Sequence, residues 1–521
     1  MLLNNFGKDS IDVVLTHLDA KEKESGLNIG GLKVAIKSGL KKTNLNGIHG
    51  NLTWGDYDAN FQMNLKTDKK TKVIEVNALE AQLFNRLKDK HINCSLNKLN
   101  LNKDYTGAAS NLLLKWNSLT RKGWVDNTVS INNLSMKQRK YDKLLDIGGL
   151  RFATNNHQPR KNTGKPKRGF FDAKHLDLHS NMTFIVKKMS KDGVTASLTK
   201  CNITDEVAGI NVKSLLFDAD IQKDKAKLKN IRFRLPNSEL TAPEAYFQLP
   251  NKRKGIPLHY EASQVEGTVL LQDISRTFAP ILKGFTLPLH IRTKVSGTND
   301  DMSFDNIEVN TIDEQLKIWA VGNITDMKDK YSLIVRFDVD SMRAIGNSKE
   351  RIINLFPVKK LMMEQVEALG DISYKGNFQI RWKKEEFFGR LNSSVGPIDF
   401  NFGLDEKNKY LAGNLITDSL KFGEVFGVKS VNFMAFKGNF MVDIAKARTA
   451  AMRTMRNGKL PIGVANLDVI EARYRIIHIK NLHANISSDG AVAKGRFEGD
   501  GKYIDLIGKF AFNHSRTSIH G

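Results

Sequence analysis

Between Gly370 and Asp405, apolar and polar residues alternate with a period of two. Ile372, Tyr374, Gly376, Phe378, Ile380 and Trp382 fall on every second position, with Ser373, Lys375, Asn377, Gln379 and Arg381 between them. Successive side chains of a strand point to opposite faces, so the spacing predicts a strand with one apolar and one wet face. Lys383-Lys384-Glu385-Glu386 is too polar to extend the apolar face and reads as a turn. Phe387–Leu391 makes a second run that reaches Ser393-Ser394. A third run sets Ile398, Phe400, Phe402 and Leu404 against Asp399, Asn401 and Gly403. The expectation is an antiparallel meander with a greasy side and a water side.

The same alternation recurs along the chain. It appears at Ile11–Leu15, at Leu32, Val34 and Ile36, and at Tyr57, Ala59, Phe61, Met63 and Leu65. Val73–Leu83 is mixed and reads as strand running into helix. Ser95–Asn102 slips, with Leu96 out of step with Leu99 and Leu101, and Trp124–Met136 is strand-like again. Residues Asn155–Gly169 contain no large apolar side chain and predict a basic loop or linker. From Phe170 the strands resume, among them Leu215–Ile221, Ile231–Leu235, Val265–Leu271, Leu289–Val295, Leu316–Ile324 and Tyr331–Val339. Helical spacing is expected at Asp273–Leu282, at Ser341–Leu369 with Pro357 as a break, and at Ile444–Met455. The chain thus divides into a β-rich segment 1–154, a loop 155–169, a β-groove repeat 170–340, and helix plus further β repeats over 341–521.

A small unit recurs inside the later strands: glycine, then a polar residue, then an apolar one. Gly322-Asn323-Ile324, Gly376-Asn377-Phe378, Gly413-Asn414-Leu415, Gly438-Asn439-Phe440, Gly495-Arg496-Phe497 and Gly508-Lys509-Phe510 are examples, and Gly389-Arg390-Leu391 fits. Some intervals nearly repeat, as between Gly376 and Gly495 and between Gly389 and Gly508. Glycine within a strand marks a bend, a bulge or a close approach, and a curving sheet needs such points at intervals.

An amphipathic sheet must hide its apolar face. The pattern offers three or four helices against roughly 25–30 strands of ordinary length, far too few for a lid. Either the sheet closes as a barrel, or it pairs with a second sheet, or it curls into a trough that holds something greasy. The predicted class is therefore mainly β: a long curled antiparallel sheet with a few short helices.

Composition narrows the partners. Of 521 residues, 80 are Lys or Arg and 56 Asp or Glu, a net charge of +24. Such a surface favours anionic partners, although a solvated basic face is the simpler explanation. Cys94 and Cys201 are the two cysteines, too few for a disulfide framework or thiolate metal site. No stretch approaches the roughly 20 apolar residues of a membrane-spanning helix, and the opening Met1–Phe6 is too short and polar for a signal-peptide core.

Candidate chemistry is sparse. His175, Asp177 and His179 share a strand face, but the two histidines lie about 13 Å apart along a strand, too far for one ion; they read as outward polar positions. Asp218, Asp220 and Asp224 lack calcium-loop spacing, and Asp300-Asp301 and Glu385-Glu386 lie in turns. No nucleophile elbow, phosphate loop or dinucleotide fingerprint is present. The aromatics Phe378, Trp382, Phe400, Phe402, Phe433 and Phe440 suggest a base-stacking platform, but aliphatic rather than basic neighbours favour a packed or lipid-contacting face. The expectation is no enzyme, no cofactor, no metal and no nucleic acid.

The Gly-polar-apolar steps, the run Leu282-Lys283-Gly284-Phe285-Thr286-Leu287-Pro288-Leu289 after a short helix, and Gly370-Asp371-Ile372-Ser373-Tyr374-Lys375-Gly376-Asn377-Phe378 resemble AsmA/TamB-type proteins of the Gram-negative envelope, in the style of Bacteroidetes members. The resemblance covers residues 170–521 and, more loosely, the first third. It implies a periplasmic β-groove with an N-terminal inner-membrane anchor, serving outer-membrane biogenesis by passage of phospholipid between the membranes. Inner- and outer-membrane proteins are the implied protein partners. The anchor and the far C-terminal end of the family are not found in this sequence, which suits an incomplete chain.

On that reading the groove that takes phospholipid or another acyl lipid is lined by Leu289, Ile291, Leu316, Ile318, Tyr331, Leu333, Val335, Phe337 and Val339. Ile372, Tyr374, Phe378, Ile380, Ile398, Phe400, Phe402 and Leu404 continue it. The alternative is a structural or adhesive β-repeat with a dry core and protein or glycan partners. An outer-membrane barrel is a third possibility. It needs strands of about 9–11 residues, longer than many of the runs read here.

Overall fold

A computed structural model describes residues 1–521 apart from 25, 121–122, 157–174, 207, 252–254, 278–282, 328–330, 354–362, 427–429, 444–461, 502–504, 514–515 and 521. The chain is mainly β: the described residues form 32 strands and four short helices. By its internal contacts the chain divides into two units, residues 1–244 with 273–283, and residues 245–272 with 284–521.

The first unit runs β1 (Leu2–Phe6), β2 (Ser10–Leu15), β3 (Ala20–Lys21), β4 (Asn28–Gly39), β5 (Lys42–Trp54), β6 (Tyr57–Asp68), β7 (Ile74–Asn85) and β8 (Lys90–Leu101). It continues with β9 (Gly107–Thr120), β10 (Gly123–Gln138), β11 (Lys143–Asn156), β12 (Asp177–Met189), β13 (Gly193–Asp205), β14 (Ile210–Val212), β15 (Ser214–Gln222) and β16 (Lys225–Arg234). From β4 to β13 each strand pairs antiparallel with the next in sequence, and β13 pairs with both β14 and β15. The division between units falls within β17 (Glu239–Gln248).

The second unit runs from β18 (His259–Val269) through β19 (Leu289–Thr298), β20 (Met302–Thr311), β21 (Leu316–Thr325), β22 (Ile334–Ala344), β23 (Ile372–Arg381), β24 (Lys384–Ser393) and β25 (Gly396–Asp405). It ends with β26 (Tyr410–Leu420), β27 (Val431–Asp443), β28 (Ile462–Tyr474), β29 (Ile477–Asp489), β30 (Ala493–Gly501), β31 (Asp505–Asn513) and β32 (Arg516–His520). Again each strand pairs antiparallel with its successor. Among the described residues no pairing joins the first strand of either ladder to its last, so neither closes into a barrel. The principal strands are longer than the apolar runs suggested, 10–16 residues for β10 and β23–β25.

The slips in the apolar pattern are bulges. Gly47, Ala78, Asn111 and Gly149 take φ of 61°, 49°, 51° and 63°, and they fall mid-strand in β5, β7, β9 and β11, every second strand. At each, the apolar set jumps by three instead of two: Leu45 to Ile48, Val76 to Leu79, Ala109 to Leu112, Ile147 to Leu150. A left-handed residue inserted in a strand bends it and restores the same side chains to the same face. Asn306 in β20 and Asn481 in β29 repeat the device in the second unit, with φ of 51° each. This corrects the expectation of a helix within Val73–Leu83, because Val76 and Leu79 mimic helical spacing while lying on one strand, β7.

Other expectations shift as well. The turn expected at Lys383–Glu386 contracts to Trp382-Lys383, with Lys383 at φ 59°, and Lys384, Glu385 and Glu386 belong to β24. Of Ser341–Leu369, Ser341–Ala344 ends β22, and the helices among the described residues are α2 (Ser348–Ile353) and α3 (Met363–Ala368). Of the helix expected at Asp273–Leu282, the described residues show a single turn, α1 (Gln272–Ser275), and 278–282 lie outside them. The helix expected at Ile444–Met455 and most of the loop expected at 155–169 lie outside the described residues.

The helices sit at strand ends. α4 (Phe422–Phe426) follows β26, and its Val425 joins Val395, Leu420, Phe436, Val469 and Ala472 in a buried cluster backed by Leu369, Ile398 and Leu482. Among the described residues α4 packs against β27, and α3 packs on α4. No helix among the described residues is long and apolar enough to cross a membrane.

Candidate functional site

The candidate site is the apolar face of the second unit. Antiparallel register lines its side chains into rows across the strands. One row reads Val295, Phe304, Gly322, Phe337, Phe378, Phe387, Phe402, Gly413 and Phe440 from β19 to β27. Phe337 stacks on Phe378 at 5.2 Å, Phe378 on Phe387 at 6.0 Å and Phe387 on Phe402 at 5.4 Å between ring centroids.

Glycine has a definite part in this row. Phe304 and Phe337 stand two strands apart, a backbone separation of about 9.6 Å, yet their rings approach to 6.0 Å. They meet over Gly322, where a Cβ would lie 2.3 Å from Phe337 Cδ1. The adjacent row repeats the arrangement. Tyr374 on β23 and Phe400 on β25 stack at 5.7 Å across Gly389 of β24, where a Cβ would lie 2.6 Å from Tyr374 Cε2. Gly413 under Phe402 and Gly495 under Phe510 leave equally little room. At Gly322, Gly389 and Gly495 the Gly-polar-apolar unit is thus the backbone half of an aromatic contact, the glycine admitting a ring from a neighbouring strand, whereas at Gly438 the neighbour is Leu467.

Two tyrosines carry a polar tip onto this face. The Tyr374 hydroxyl donates to the Phe388 carbonyl at 3.0 Å, and Tyr260 lies over Gly297, its register partner. Burial raises the pKa of both phenols above the ordinary value, since it penalises the phenolate.

The expected lining residues fall as follows. Leu316, Ile318, Val335, Phe337, Val339, Ile372, Tyr374, Phe378, Ile380, Ile398, Phe400, Phe402 and Leu404 share one face by register. Leu289 and Ile291 join it through Thr311 and Val309 of β20, which lead to Ile318. Tyr331 and Leu333 differ: both precede β22, and Tyr331 is a turn residue packed edge-on against Trp382 at 5.0 Å. Sequence reading passed over Phe304 and left Phe387 and Phe440 out of the expected lining; the register places all three in the aromatic row. Glu385, expected in a turn, lies instead on the apolar face between Ile380 and Leu404.

This face is not sealed. Among the described residues Phe285 and Phe436 are the buried aromatics, and none of the five stacked phenylalanines is buried. The opposite face is charged. Arg292 meets Glu266 at 3.3 Å and Lys294 meets Glu261 at 3.0 Å, and a hollow of about 520 Å³ there is lined by Arg292, Glu308, Trp319 and Asp340.

In the histidine-aspartate run Asp177 accepts from Arg151, at 2.6 and 3.0 Å, and lies 3.2 Å from His179. Asp218 likewise accepts from Asn230 at 2.8 Å and from the Ser197 hydroxyl. Neither a family model nor a curated protein matches the chain.

Proposed function

We propose that the apolar face shields lipid acyl chains, and that the protein supports phospholipid passage between inner and outer membrane, as the resemblance to AsmA/TamB-type proteins implies. The observation that carries this reading is the row of phenylalanines from Phe304 to Phe402, stacked on one another yet left partly open. Full burial of such a side chain is worth about 1.5–3 kcal/mol, so a folded protein that leaves a whole row short of burial gains by covering it. An acyl chain gains in return, roughly 0.8 kcal/mol for each CH₂ removed from water. Contact of this kind is non-directional. It requires no single essential residue and lets a chain slide, which suits passage better than fixed binding.

Lipid extraction and mass spectrometry of the purified protein test the reading. Co-purified phospholipid is expected, and Val335→Asp or Phe400→Glu should deplete it and block lipid traffic while far-ultraviolet circular dichroism stays β-rich. A protein that emerges free of lipid, or charged variants that leave traffic normal, would overturn it.

A further inference from the structure

The turns on one edge of the first unit form a surface that the acyl-chain reading does not use. In an antiparallel ladder alternate turns share an edge. Here these are the turns β4–β5, β6–β7, β8–β9, β10–β11, β12–β13 and β15–β16. They contribute Lys70, Lys72, Lys103, Lys140, Lys191 and Lys223. Four acidic residues lie among these lysines on the last four of the turns: Asp104, which accepts from Thr106 at 2.7 Å, Asp142, which meets Arg139 at 3.1 Å, and Asp192 and Asp224.

A hollow of about 470 Å³ opens on this edge, ringed by Tyr105, Tyr141, Lys143, Lys187, Lys188 and Lys191, with Asp142 in its wall. Lys143 donates to the Asp104 carbonyl, and Lys187 lies 3.9 Å from Asp218, too long for a tight pair. The apolar side chains beside these lysines point outward: Tyr141 is 81% exposed, Leu40 72% and Tyr105 65%.

Tyr105 adds an independent mark. It takes φ 63°, a left-handed conformation that glycine or asparagine fills more easily.

We propose that this edge docks on the anionic face of a lipid bilayer, with the lysines against headgroup phosphates and Tyr105 and Tyr141 at the interface. Amphipathic rings with lysine stems are the side chains suited to that boundary, apolar at one end and wet at the other. Each lysine near an anionic surface strengthens binding about fivefold, so several arrayed along one edge bind where one would not. Nucleic acid fits less well, because the rings sit singly on turn tips rather than side by side as a stacking platform.

Co-sedimentation of the full chain with vesicles of equimolar phosphatidylglycerol and phosphatidylcholine, against phosphatidylcholine alone, tests the proposal. Binding to the anionic vesicles alone is expected, weakening as salt is raised. Lys187→Glu/Lys188→Glu/Lys191→Glu should reduce it by ~100-fold or more. The same number of reversals on the outward face of the second unit (Lys375→Glu/Lys437→Glu/Lys509→Glu) should have a smaller effect. Tyr105→Gly should weaken binding several-fold while raising thermal stability, which separates lost docking from lost folding. Equal binding to both vesicles, or an unaltered triple variant, would overturn the proposal. So would displacement by inorganic phosphate beyond that by chloride at equal ionic strength, or by a single-stranded oligonucleotide. None of these outcomes bears on whether the apolar face of the second unit holds acyl chains.

Discussion

The ring of Phe337 lies across Gly322, its partner on the neighbouring strand, and a Cβ built on that glycine would sit 2.3 Å from Cδ1 of the ring and 2.5 Å from Cε1. The ring has little freedom to retreat, since it is stacked on Phe378 at 5.2 Å. Gly322→Ala should therefore destabilise the second unit by about 1–3 kcal/mol, the usual range for overpacking. Gly403 provides the contrast. It lies on the other face, where a Cβ would find its nearest neighbour at 3.5 Å, and Gly403→Ala should stay within about 0.5 kcal/mol of the parent. Urea unfolding of the two variants checks the difference.

Ala78 is the odd residue among the mid-strand bulges. The corresponding positions in β5, β9 and β11 carry Gly47, Asn111 and Gly149, residues that accept a left-handed backbone, while Ala78 holds φ 49°. Its side chain is exposed, so substitution meets no packing constraint. Ala78→Asn and Ala78→Gly should each stabilise the first unit by roughly 0.5–1 kcal/mol, a rise of a few degrees in melting temperature. Asn111→Val, which forces a β-branched residue into the same conformation, should lower it.

These two positions also show what was legible in the sequence. Strict alternation fixed the faces of β23 and β25, from Ile372 to Leu404, because period two has a single structural meaning when it persists. It failed where a bulge intervened. The Val76-to-Leu79 step looks helical on paper, and only the pairing of β7 with β6 and β8 distinguishes a slipped strand from a turn of helix. The glycine of the Gly-polar-apolar unit was visible, but its purpose depended on which ring the register brings opposite, a non-local fact. The lysine edge was hidden for the same reason. Lys103-Asp104-Tyr105 and Lys140-Tyr141-Asp142 are ordinary turns until the alternation of hairpins stacks them side by side.

Asp313 ties α2 to the loop between β20 and β21. Its carboxylate accepts from the Thr311 hydroxyl at 2.6 Å and from the Gln315 amide at 3.2 Å, and it pairs with Arg351 of α2. The Thr311 bond first, then Arg351, holds its pKa down to about 2. A depressed carboxylate stabilises the fold above its unfolded value near 3.8 and loses that contribution as pH falls toward 2. Amide exchange in α2 should accordingly rise between pH 4 and 2 in the parent protein. In Asp313→Asn it should be high already at neutral pH and show little change over that interval.

Glu385 works in the opposite direction. It stands on the apolar face, between Ile380 of β23 and Leu404 of β25. Burial, and secondarily the charge of Glu406, raises its pKa above the ordinary 4.5. The folded chain therefore holds this proton more tightly than the unfolded one. Its contribution to stability is complete below pH 4.5 and declines as pH rises through the raised value, where a carboxylate must be kept among aliphatic side chains. Glu385→Gln should remove this slope from a plot of melting temperature against pH, and Glu385→Leu should raise stability at neutral pH by restoring the alternation that the glutamate interrupts. If Glu385→Gln keeps the full slope, the side chain turns away from the face to which its register assigns it.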